Sequence, residues 1–133
     1  MQLGISARNA RLDAIETAVG ASPLLKIMTG SAPADCATAS TGTVLVTMTL
    51  PSDWMSAASA GSKAKLGTWQ DTAADATGTA GYFRIFDSAG SVCHIQGTVT
   101  LTGGGGDMTL DNTSIATGQS VTIATFTLTD GNG

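Results

Sequence analysis

The sequence predicts an all-β protein: a two-sheet β-sandwich of jelly-roll type, with about eight strands and one short N-terminal helix. Three observations predict it. Residues 44–50 and 92–101 alternate apolar and polar side chains, the period of a half-buried strand. The stretch GYFRIFDSAGSVCHIQGTVTL, residues 81–101, reads as a hairpin: an aromatic and β-branched run, a turn with a glycine and short polar side chains, then an alternating run. Helical periodicity occurs in one place, between Ser6 and Val19.

In chain order, Ser6 is expected to cap a helix ending at Val19, with Gly20 as its stop. Leu12, Ile15 and Val19 form a narrow apolar stripe on it. Residues 1–20 are thus a helical segment and residues 21–133 the sandwich domain. Arg8 and Arg11 are not at the i, i+4 spacing that would pair them well with Glu16. After Pro23, residues 24–29 form a first strand, and GSAPADCATASTG, residues 30–42, is a loop without periodicity. In the strand 44–50, Val44, Val46, Met48 and Leu50 are expected inward and Leu45, Thr47 and Thr49 outward. Pro51 ends it, because proline cannot donate to the ladder.

Residues 63–69 make a further strand, and 71–79 a loop or an extended edge piece. The hairpin comes next and carries the centre of the core. Three of the six aromatic residues, Tyr82, Phe83 and Phe86, fall within five positions there. Cys93, Ile95, Val99 and Leu101 share one face of its second strand, and His94, Gln96, Thr98 and Thr100 the other. The core is expected to hold Tyr82, Phe83, Ile85, Phe86 and Ile95, with Val46, Met48 and Phe126. Gly103 to Gly106 make a mobile turn, residues 108–110 and 113–115 are short strands, and residues 119–129 are the last strand, bulged near Ala124. Residues 130–133 are a frayed end.

A chain of 133 residues with 42% apolar content is one domain with a sizeable core. Only 12% of residues are charged and the net charge is −4, with the basic residues scattered, which argues against a nucleic-acid partner. Two cysteines are too few for a disulfide scaffold, so Cys36 and Cys93 are expected as reduced thiols, one in a loop and one in a strand. With neither a secretory leader nor an apolar run of bilayer length, the chain is expected to fold in a cytoplasm, with no membrane partner.

Candidate chemistry is sparse. Gly103–Gly106 precedes Asp107 and a strand, whereas a phosphate cradle precedes a helix. His94 and Cys93 are strand neighbours on opposite faces and cannot act on one metal ion. A Cys36–His94 thiol–imidazole pair lacks a third group. Asp71/Asp75 and Asp107/Asp111 offer hard-cation oxygens without the dense spacing of a Ca²⁺ loop. The expectation is no catalytic, cofactor or metal residue, and no enzyme.

Three segments together carry a resemblance: ARNARLDAIETAVGASPLLKIMTGSAPA (7–34), TGTVLVTMTLPSDW (41–54) and DATGTAGYFRIFDSAGSVCHIQGTV (75–99). In this order they resemble the capsid decoration, or cement, proteins of tailed bacteriophages, which have a jelly-roll-like fold. The resemblance implies a virion structural protein, made in the host cytoplasm, that binds the outside of the shell and bridges major capsid protein subunits. It also implies self-association as a dimer or trimer. Low charge and Thr-rich faces suit repeated association. The stripe Leu12, Ile15, Val19 is the expected partner face, because a terminal helix has less to bury within one domain than across two. Alternatives are a tail or fibre module, or a carbohydrate-binding or adhesin sandwich in which Trp54 and Trp69 would stack on sugar.

Overall fold

A computed structural model describes residues 1–131; Asn132 and Gly133, the tip of the expected frayed end, lie outside the described residues. The fold is mostly β, with one short helix, α1 (Ile5–Val19). The strands are β1 (Leu24–Thr29), β2 (Val44–Thr49), β3 (Ser62–Ala64), β4 (Trp69–Asp71), β5 (Gly78–Phe86), β6 (Cys93–Leu101), β7 (Met108–Leu110), β8 (Ser114–Ile115), β9 (Val121–Ile123) and β10 (Thr127–Thr129). One large sheet has the order β2-β1-β5-β6-β7, with β8 also paired to β5. Two small antiparallel sheets, β10-β3 and β4-β9, complete it. The β6–β7 pair is parallel; the other pairs of the large sheet are antiparallel.

The hairpin β5–β6 and the strand β1 beside it set the faces of the large sheet. Leu25, Ile85 and Ile95 are in register, as are Ile27 and Phe83. Alternation therefore sends this set to one face and Lys26, Met28, Tyr82, Arg84, Phe86 and Gln96 to the other. The inner set packs with Val46, Met48 and Val99 against Trp54, Trp69, Val121, Ile123 and Phe126. An aromatic chain runs through this core: Phe83 meets Phe126 edge-on at 5.6 Å, Phe126 meets Trp69 at 5.5 Å, and Trp69 meets Trp54 at 6.0 Å.

Several expectations need correction. Ser6 does not cap α1; the helix starts at Ile5, after Gly4, without a side-chain cap. Its stop is at Gly20, whose φ of +88° is easily reached only by glycine. Leu45 is buried rather than outward, because the β1–β2 register shifts between Ile27 and Met28 and both Leu45 and Val46 lose their access to water. Residues 63–69 are two separate strands, β3 and β4, which pair with different partners. The last strand is likewise two: β9 pairs with β4 and β10 with β3, so Ala124 marks a change of sheet and not a bulge. Tyr82 and Phe86 are buried, but on the outer face, and Ile95 is only half-buried. Leu101 is exposed. Asp130 is anchored: its N–H donates to Gly61 O at 3.0 Å and its carbonyl accepts from Arg8 Nε at 2.8 Å.

Candidate functional site

The outer face of the large sheet is covered by residues 30–42. Gly81 permits the crossing, since a Cβ there would collide with Gly30 O. The loop is closed at its base by Thr29 N–H to Thr43 O at 3.0 Å and Thr43 N–H to Thr29 Oγ1 at 2.9 Å. Tyr82 Oη donates to Thr41 O at 2.5 Å and accepts from Thr41 N–H at 3.0 Å. Gln96 Nε2 donates to Pro33 O at 2.8 Å. Arg84, 2% exposed, donates from Nε to Gln96 Oε1, from Nη1 to Ser40 Oγ and from Nη2 to Asp35 O, each at 3.1 Å. Inside the loop the Asp35 carboxylate accepts from the Thr38 hydroxyl and N–H, both at 2.9 Å, which holds its pKa below the ordinary value.

A disulfide joins Cys36 in this loop to Cys93 at the start of β6, with Cα atoms 5.3 Å apart. This overturns the expectation of two reduced thiols. The reason is register. The β5–β6 pairing shifts between Ile85 and Phe86, so Cys93 sits opposite Phe86, an outer-face residue. Unbroken alternation would have put it on the inner face with Ile95. The next turn is held by Asp87, which accepts from Ser91 N–H at 2.8 Å and Val92 N–H at 3.2 Å; these bonds keep its pKa low.

A second constellation docks the helix. Lys63, 1% exposed, places Nζ 2.6 Å from both Asp13 Oδ1 and Glu16 Oε2 and donates to Ser56 O at 2.8 Å. Asp13 also accepts from Ala58 N–H at 3.0 Å. Arg11 pairs with Asp130 at 3.2 Å. Leu12 and Val19 are 2% and 4% exposed, and Ile15 packs partly buried on the core. The stripe expected as a partner face is therefore covered within its own domain: the small sheet β3–β10 offers a surface for it and Lys63 supplies the counter-charge. Beside it, Arg11, Leu12, Ala14, Ile15, Thr129 and Asp130 line an open groove of about 400 Å³.

The remaining candidates are occupied by local bonds. Asp71 and Asp75 both serve Thr47, through its N–H at 3.1 Å and its hydroxyl at 2.8 Å. Asp107 accepts from Thr98 N–H at 2.9 Å and from its hydroxyl at 3.1 Å. Among the described residues no three His, Cys, Asp or Glu side chains are placed to share a metal ion. The disulfide removes the Cys36 thiol from any pairing with His94, which is exposed. Trp54 and Trp69 are fully buried, their indole N–H groups bonded to Gly20 O and Leu66 O, so neither presents a ring for sugar stacking. Among the described residues no helix is long and apolar enough to cross a membrane. Compared with known proteins, the chain matches no family model, no curated sequence and no solved structure.

Proposed function

We propose that this chain is a structural protein of a tailed-bacteriophage virion, a capsid decoration protein that binds the outer shell and bridges major capsid protein subunits. The observation that carries the reading is where the three resembling segments lie. Residues 7–34, 41–54 and 75–99 supply β1, β2, β5 and most of β6, which adjoin one another in the large sheet, together with most of α1 and both ends of the loop latched across it. The likeness therefore attaches to one contiguous body and not to scattered turns. A covalently pinned loop of Ala, Ser and Thr also suits a protein exposed to the medium, where disulfides persist.

The finer architecture we assign is a two-layer jelly roll. The large sheet is one layer, β10-β3 and β4-β9 form the other, and the Phe83–Phe126 contact stands at their meeting. The partners are the major capsid protein and further copies of this chain, as a dimer or trimer, at the virion exterior. Binding only the assembled lattice stabilises it by mass action, and many modest contacts suffice. The test adds purified protein to undecorated heads, which are then sedimented and heated. The expected result is co-sedimentation at shell-like copy number and a raised disruption temperature, surviving moderate salt because the chain has few charges. Heads that neither bind the protein nor gain heat resistance end this reading; binding confined to tails would place the chain in the tail.

A further inference from the structure

We propose that the Cys36–Cys93 disulfide is a redox-operated latch, whose reduction lifts residues 30–42 off the sheet and uncovers the cationic pair Lys26 and Arg84. These two residues stand directly opposite each other on β1 and β5. Like charges in that position repel. Lys26 is half-buried, with Nζ 5.3 Å from the Phe86 ring centroid. Arg84 is almost wholly buried, yet its acceptors are an amide, a hydroxyl and a carbonyl. Among the described residues no carboxylate lies within ion-pairing distance of it. Asp35 attracts it through space without a direct ion pair, and a cation held among neutral acceptors gains from hydration.

Opening the loop would supply that hydration. Two of the three Arg84 acceptors, Ser40 Oγ and Asp35 O, belong to the loop and would be replaced by water. What opposes opening is a set of hydrogen bonds, Tyr82 with Thr41 and Gln96 with Pro33, each of modest net value in water, and one covalent bond. With that bond intact, Cys36 cannot leave Cys93. With it cut, hydrogen bonds and the through-space attraction of Asp35 hold the loop against the repulsion and hydration of two cations. The ladders β1–β5 and β5–β6 and the inner core do not depend on the loop, so the opening is local.

The chemistry is thiol–disulfide exchange with a low-molecular-weight thiol of the glutathione class. Its thiolate attacks one sulfur, the S–S bond breaks, and the other cysteine leaves as a thiolate and takes up a proton. A second thiol then attacks the mixed disulfide. The protein gains two electrons and two protons, and the small thiol becomes its own disulfide. Both cysteines are half-buried rather than enclosed, which leaves a path for the attack.

The experiment follows the reaction of Arg84 with phenylglyoxal by peptide mass spectrometry. It uses the oxidised protein, the protein reduced with dithiothreitol, and the Cys36→Ser/Cys93→Ser variant. Arg11, 62% exposed, is the internal control. Reduction is expected to speed Arg84 labelling about tenfold or more, as local opening does, with Arg11 and the far-ultraviolet circular dichroism unchanged. Elastase, which cuts after small residues, is expected to cleave within 31–42 in the reduced protein alone. The double-serine variant should behave as reduced protein without any reductant. Arg84 staying protected in the reduced protein or in the variant overturns the latch. So does loss of the whole β signal on reduction, or two free thiols in the untreated protein.

Discussion

The Lys63 ammonium and the Asp13 carboxylate meet at 2.6 Å across fifty residues of sequence, and the lysine side chain is only 1% exposed. Its other partner, Glu16, lies one turn further along the same helix. Removing the charge and removing its counter-ions should therefore have unequal effects. Lys63→Met keeps the volume and leaves two part-exposed carboxylates that water can reach, so its cost should stay within about 1–2 kcal/mol. Asp13→Asn with Glu16→Gln leaves the ammonium buried and unpaired, and should cost more. Urea denaturation of both variants checks the order.

The aromatic chain of the core predicts coupled losses. Phe83→Ala and Phe126→Ala should each cost roughly 3–5 kcal/mol, because each empties a packed site. The double variant should lose less than the sum, by about 0.5–1.5 kcal/mol, since the edge-on contact is counted twice. Chemical denaturation of the three variants measures it.

Part of this core was legible: apolar alternation pointed to Val46 and Met48, and the aromatic and β-branched cluster to Phe83 and Ile85, all four of which are buried. Alternation carries no information on which strands pair, so it read residues 119–129 as one strand where two serve different sheets. It also assumes unbroken register. The shifts at Met28 and Phe86 turned Leu45 inward and Cys93 outward, and the second of these hid the disulfide. The buried Lys63 and Arg84 were invisible for a related reason. Each is tolerated because, beside a nearer acceptor, residues 44 to 50 positions away supply others. Gln119 to Thr129 and residues 63–69 looked continuous because their breaks contain no proline.

The disulfide spans 57 residues of sequence. Cross-linking a loop of that length restricts the unfolded chain by up to about 4 kcal/mol, and measured values fall nearer 2–4. The double-serine variant should be less stable than the oxidised protein by an amount in that range. Equilibrium denaturation with and without reductant checks it, and reductant should leave the variant itself unaffected.

The pH dependence follows from four groups. Hydrogen bonds hold the Asp13, Asp35 and Asp87 carboxyls below their ordinary value of 3.8, from Lys63 and Ala58, from Thr38, and from Ser91 and Val92 respectively. Groups with depressed folded values stabilise the fold above 3.8 and lose that contribution as pH falls through the folded values. Burial alone would lower Lys63, but its hydrogen bonds to Asp13 and Glu16 outweigh this and raise it above 10.5. That contribution is complete below 10.5 and disappears as pH rises through the folded value. Melting temperature should thus be level across the neutral range and fall at both extremes. Lys63→Met should remove part of the alkaline fall and leave the Asp35 and Asp87 share of the acid fall.

The Arg8–Asp130 hydrogen bond, with Arg11–Asp130 beside it, brings the first helix and the last strand side by side. Between Arg8 and Asp130 the backbone is thereby nearly a ring. A glycine–serine bridge could run from Asp130 to the start of the helix, and new ends could be cut in the tetraglycine turn, where a Cβ added at Gly103 or Gly105 would meet nothing within 4 Å. Such a circular permutant would carry a fused cargo at that turn instead of beside the helix, so the orientation of a displayed protein could be chosen without altering the sheet that carries the latch.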